Sequence, residues 1–171
     1  MNVFDFAMEM EENGKNYYEN LAKAANLPGL KTIFTRLAED EQVHYEIFRK
    51  LKVGGTPQAL PETGILDTIQ NVFLLLPRDS EALKDVASAL AAYQHAMKLE
   101  VESFRLYEDA AAKEADEDVK SLLFKIAAEE HKHYNILENI YNFVNAPNRH
   151  LEWGEFSNID EFRQFGRDID A

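Results

Sequence analysis

LAEDEQVH at residues 37–44 and IAAEEHKH at residues 126–133 carry one motif, Glu-x-x-His, as Glu41/His44 and Glu130/His133. The two copies are separated by 89 positions (130 − 41 = 89). Upstream, Glu11, Gly14 and Tyr18 stand at that same distance from Glu100, Ser103 and Tyr107. One offset held over more than thirty residues marks two copies of a single unit. The unit is a Glu on one helix and Glu-x-x-His on the next. Two such units supply the inward-facing ligand set of a carboxylate-bridged di-metal four-helix bundle.

The flanking sequence fits two helix hairpins. Phe4, Ala7, Glu11, Gly14, Tyr18, Leu21 and Ala25 recur at alternating spacings of three and four, which predicts one helix over 2–26. Asn26-Leu27-Pro28-Gly29 breaks it, and Pro28 suits the first turn of the next helix, where no N–H partner is needed. That helix, about 28–53, aligns Leu30, Phe34, Leu37, Glu41, His44, Phe48 and Leu51 before Gly54-Gly55-Thr56-Pro57 ends it. Residues 54–78 form a connection long enough to cross the bundle, with a short helix expected from Ile65 to Leu76. A third helix is expected from about 79, capped by Asp79 or Ser80, with Ala89, Tyr93, Ala96, Glu100, Ser103 and Tyr107 inward. The fourth, about 116–145, carries Val119, Leu123, Ile126, Glu130, His133, Leu137, Ile140 and Val144 inward and stops at Ala146-Pro147. The expectation is therefore one all-α domain over 1–145, with repeats at about 2–53 and 79–145 and crossover 54–78. Residues 146–171 form a tail with a short helix near 158–166.

All four Glu residues fall on otherwise apolar stripes. An unpartnered buried carboxylate costs several kcal/mol, roughly, even after relaxation, and four that converge repel one another. No Lys or Arg shares their stripes, so cations are the remaining stabiliser, and two divalent ions would balance four carboxylates. Glu-x-x-His places carboxylate and imidazole one turn apart, within reach of one ion. Glu11 with His44, and Glu100 with His133, are expected to end the ligand set, with Glu41 and Glu130 bridging. Oxygen-rich ligation with one imidazole per ion favours iron or manganese over zinc; two iron ions are expected, with manganese or a mixed pair as the alternative. Tyr18 and Tyr107 either hydrogen-bond these carboxylates or serve as core aromatics with satisfied hydroxyls. Gly14 and Ser103 read as small residues that leave room beside the metals. Glu12, Glu102 and Glu129 read as solvated charges, and His95, His131 and His150 as surface residues.

Composition narrows the classes. The length, 171 residues, suits one domain with a sizeable core. A formal charge of −13 argues against nucleic acid and anionic lipid as partners. No apolar run reaches membrane-spanning length, and the first residues lack a signal-peptide pattern, so a cytoplasmic protein is expected. Cysteine is absent, which excludes disulfides, thiolate metal sites and iron–sulfur clusters on this chain.

EMEENGKNYYENLAKAA, LAEDEQVHYEIF, KLEVESFRLYEDAAAKEA and IAAEEHKHYNIL together resemble the rubrerythrin/erythrin branch of the ferritin-like superfamily, over about 1–145. The resemblance implies a homodimeric ferritin-like bundle whose two iron ions reduce hydrogen peroxide, with Glu11, Glu41, His44, Glu100, Glu130 and His133 as ligands. Two departures stand out. Full-length members carry a rubredoxin domain with four iron-binding cysteines, so electrons here would come from an external donor such as a rubredoxin-like protein. Members also have a further Glu one turn after the third-helix ligand, which exchanges with a His as iron changes oxidation state; Ser103 holds that position. Three activities are therefore carried forward: a di-iron peroxidase-type oxidoreductase, a ferroxidase using dioxygen in iron storage, and a non-redox metal-binding bundle.

Overall fold

The computed structural model describes residues 2–61, 65–75 and 89–145. Among them are five helices: α1 (Val3–Ala24), α2 (Pro28–Lys52), α3 (Ile65–Leu75), α4 (Leu90–Lys113) and α5 (Glu117–Asn145). The four long ones form the expected all-α, ferritin-like four-helix bundle. α1 packs chiefly on α2 and α4 chiefly on α5, so each hairpin is a unit, and α3 lies on α2.

The helix ends follow local chemistry. The Asn2 side chain accepts from the Phe4 N–H and caps α1. Pro28 occupies the first turn of α2. α2 ends where Gly54 adopts φ of +75° and the Gly55 N–H reaches back to the Lys50 carbonyl, a conformation that costs glycine least. Asp116 receives the N–H groups of Asp118 and Val119 at the start of α5. Among the described residues α4 begins at Leu90, and the start expected near 79 lies outside them. Its first flanking residue, Ala89, offers no side-chain cap, and the candidate caps Asp79 and Ser80 lie outside the described residues, as do the tail and the helix expected at 158–166.

Two apolar clusters fill the bundle, one on each side of a polar belt. The first gathers Tyr18, Ile33, Phe34, Leu37, Ile69, Tyr93, Leu137 and Ile140. The second gathers Ala7, Phe48, Tyr107, Ala111, Leu123 and Ile126. Fully burying one large apolar side chain contributes about 1.5–3 kcal/mol, so these clusters supply the stability from which a charged belt can be held in the interior. α2 and α5 bury more than the single predicted stripe: Ile33 and Ile47 on α2, and Leu122, Ile136 and Phe143 on α5, are also buried. Among the described residues, no helix is long and apolar enough to cross a membrane.

Candidate metal centre

Glu11 and Glu100 come from the middle of α1 and α4, and the two Glu-x-x-His pairs from α2 and α5. All six residues are buried, none more than 3% exposed. Their ligand atoms form two groups: Glu11, Glu41, His44 and Glu130 in one, Glu41, Glu100, Glu130 and His133 in the other. Within each group the atoms lie within 4.8 Å of one another. Glu41 and Glu130 belong to both.

The close approaches cross between the hairpins. His44 Nδ1 is 2.7 Å from Glu130 Oε1 and 3.4 Å from Glu11 Oε2. His133 Nδ1 is 2.9 Å from Glu41 Oε1 and 3.5 Å from Glu100 Oε1. Each imidazole is thus nearest the shared carboxylate of the other hairpin. Both Nδ1 atoms, and at least one oxygen of each Glu, nevertheless lack a hydrogen-bond partner. Short distances without hydrogen-bond geometry describe atoms that converge on a common point rather than on each other. Buried polar atoms are seldom left so, and a cation between them would account for the set.

The outer atoms are occupied. Tyr18 donates its hydroxyl to Glu100 Oε1, and Tyr107 donates to Glu11 Oε1, again across the hairpins. Of the two readings open for these tyrosines, the hydrogen-bonding one holds; Tyr18 also belongs to the first apolar cluster and Tyr107 to the second, so each closes one side of the belt. His44 Nε2 lies 2.7 Å from Glu129 Oε2, and His133 Nε2 lies 3.1 Å from Asp40 Oδ2. A carboxylate beside Nε2 draws the ring proton there and leaves the Nδ1 lone pair facing inward.

Glu129 is therefore not a solvated charge: its side chain is 17% exposed and grips a site histidine. Asp40 is a residue that the helical stripe missed. A signal for both was present, because Asp40 and Glu129 are themselves 89 positions apart, acid matching acid (129 − 40 = 89). Glu12 and Glu102 are exposed, as is His95, whose ring contacts Tyr17. His131 is part-buried rather than free on the surface, stacked on Phe104 and within 3.1 Å of Glu108. His150 lies outside the described residues.

Burial and mutual repulsion set the protonation of the metal-free centre. Burial, then the charges of Glu11 and Glu100, push Glu41 well above the usual carboxyl range. Burial, then Glu41 and Glu11, do the same to Glu130. Burial alone would lower His44, but Glu11 and the approaches of Glu129 and Glu130 hold it well above its ordinary value. His133 is raised against burial by Glu100 and by its contacts with Asp40 and Glu41. Glu100 moves the other way: burial opposes its ionisation, yet His133, Glu130 and Tyr18 together keep it low. Protons thus stand in for positive charge at this centre.

Gly14 makes the packing possible. A Cβ there would lie 2.9 Å from Glu41 Oε2, so any larger residue would displace that carboxylate. Beside it, a cavity of about 210 Å³ lies between α1 and α4, bounded at its inner end by Gly14, Tyr18, Glu41, Glu100 and Ser103.

No curated protein and no solved structure gave a significant match to the chain. A protein-family model did: the rubrerythrin model matches residues 2–141, which takes in both hairpins and every residue of the centre. With that extent of match, and two carboxylate–histidine groups in one buried belt, the chain belongs to the rubrerythrin family.

Proposed function

We propose that this chain is a di-iron oxidoreductase of the peroxidase type, reducing hydrogen peroxide in the cytoplasm with electrons from an external, rubredoxin-like donor, and working as a homodimer. The observation that carries the reading is the pair of four-residue groups that share Glu41 and Glu130. In this reading Glu11 and His44 hold one iron, Glu100 and His133 hold the other, and Glu41 and Glu130 span both. Carboxylate-rich donors with one imidazole each suit iron and leave positions open for an oxidant. When bound, the two ferrous ions supply the electrons for H2O2 + 2 e⁻ + 2 H⁺ → 2 H2O, each ending ferric.

The protein's own residues set the conditions for that chemistry. Asp40 and Glu129 fix the imidazole rings. Tyr18 and Tyr107 hold one oxygen of Glu100 and of Glu11, which leaves the other oxygen free to face a metal. The apolar clusters on both sides lower the local dielectric around the belt, which strengthens the charge interactions inside it. Ser103 presents no carboxylate, so the exchange of ligands that the family performs at this position is not available here. A ferroxidase remains the nearest rival, and a non-redox metal bundle the next.

Anaerobic loading with two equivalents of Fe(II), followed by stopped-flow mixing with hydrogen peroxide or with dioxygen, decides among them by the rise of diferric absorbance. Faster oxidation by peroxide supports the proposal. Preference for dioxygen, with assembly into a large shell by light scattering, would move the assignment to ferroxidase. Metal binding with no reaction would leave a structural bundle.

A further inference from the structure

The cavity between α1 and α4 is larger than hydrogen peroxide requires. A void of about 10–15 Å³ suffices for one water, against a cavity here of about 210 Å³. Its walls are largely apolar, with Phe6, Met10 and Leu99 among them. Glu9 and Glu102 also line it and are exposed, so they mark the side that faces solvent. The inner end is polar, formed by Glu41 and Glu100 with the Tyr18 hydroxyl held on the latter.

The cavity is also one-sided. It reaches Glu100, which belongs to the His133 group alone, and the shared Glu41, but neither Glu11 nor Glu130 lines it. The repeat explains why. Gly14 has no side chain between the cavity and Glu41, whereas its counterpart Ser103 has a buried one, lining the same cavity. Two nearly equivalent half-sites are thereby made unequal in access.

We propose that this cavity is a binding site for a small, uncharged organic hydroperoxide, whose alkyl group lies against Met10 and Leu99 and whose O–O bond is presented to the Glu41/Glu100 side of the centre. An apolar body with a polar head matches the lining, and the acids Glu9 and Glu102 disfavour an anionic ligand at the entrance. The inference rests on the peroxide-reducing reading above and names its substrate class. The bond broken is again O–O: R–O–OH takes up two electrons from the ferrous pair and two protons, and leaves as an alcohol and a water.

Two measurements test it. In the first, tert-butanol, the alcohol product of tert-butyl hydroperoxide, is titrated into the metal-free protein while methyl NMR signals are followed. Saturable shifts at Met10 and Leu99 are expected in the wild type, and loss of the Met10 shift in Leu99→Trp; no saturable shift at either residue in the wild type overturns the site. In the second, diferrous protein is mixed with tert-butyl hydroperoxide and with hydrogen peroxide. The ratio of the two oxidation rates is expected to fall at least about tenfold in Leu99→Trp or Ser103→Leu, and a ratio held within about twofold in a folded variant overturns the proposal. Ser103→Leu serves if Leu99→Trp does not fold. Should the wild type react with neither peroxide, the peroxide reading fails and takes the hydroperoxide assignment with it. If hydrogen peroxide reacts and tert-butyl hydroperoxide does not, only the cavity proposal falls.

Discussion

The two hairpins present the same ligands to the centre yet differ at two positions beside it. Where α1 has Gly14, α4 has Ser103; where α2 has Asp40, α5 has Glu129. The first difference opens a cavity toward one half-site. The second gives one histidine a fully enclosed carboxylate and the other a carboxylate with some solvent contact. The ligand frame is repeated, whereas its surroundings have diverged in the lining of the cavity and in the outer partner of each histidine.

The largest effect should come from what both hairpins share. Metal binds only the native centre, so saturating metal should raise stability by about 2.7 kcal/mol at one hundred times the dissociation constant. The sign of its pH dependence follows from the raised groups. Glu41, Glu130, His44 and His133 all bind protons more tightly folded than unfolded, so their contribution to metal-free stability is full at low pH. It is lost as pH rises above the ordinary values of 4.5 for Glu and 6.5 for His, through the raised folded values. Glu100, which is lowered, opposes this in part. Calorimetric melting should therefore show the gap between metal-loaded and metal-free protein widening with pH; a gap that narrows would contradict the proton-for-metal exchange.

Glu41→Gln and Glu130→Gln should each reduce bound metal from two ions to at most one per chain, by elemental analysis, because each residue spans both groups. In the metal-free state the same variants should melt no lower than wild type, since each removes one member of a repelling set. Lower melting would mean that repulsion has been overestimated.

Asp40→Asn and Glu129→Gln separate the halves. Each should weaken metal binding by about 10–100-fold, the cost of releasing a ligand imidazole from its outer partner. The shorter contact is that of Glu129, at 2.7 Å against 3.1 Å for Asp40. Burial nevertheless favours Asp40, because water screens the partly exposed pair. Competitive chelator titration should show the larger loss for Asp40→Asn, and the reverse order would mean that distance outweighs screening here.

The smallest effect should be that of the tyrosines. Tyr18→Phe and Tyr107→Phe each remove a single hydrogen bond to a carboxylate, and denaturant unfolding of the metal-loaded protein should register about 1 kcal/mol apiece. Equal losses would mark the two bonds as true counterparts.

The six candidate ligands were legible because acids on apolar stripes are anomalous and a common offset made the anomaly systematic. Both hairpins and the short crossover helix were legible from periodicity and from Pro and Gly punctuation. Asp40 and Glu129 escape the stripe, though they share the offset, because each lies a hundred degrees around its helix from the motif Glu and acts on the opposite hairpin. No helical stripe displays a contact between helices. The cavity was invisible for a related reason: it depends on how far α1 and α4 stand apart, and sequence gave only the two small residues that permit it. The start of α4 at Leu90 carries no local signal, since Ala89 offers no side-chain cap, and helix ends are weakly marked in sequence.

The crossed contacts carry one more consequence. Neither hairpin holds a complete cage: His44 needs Glu129 and Glu130, His133 needs Asp40 and Glu41, and each tyrosine serves the other half's carboxylate. A chain nicked between α2 and α3 would thus become two pieces that only together make a metal-binding whole. The ions would act as a clasp, and reassembly of the pieces would be a metal-triggered event.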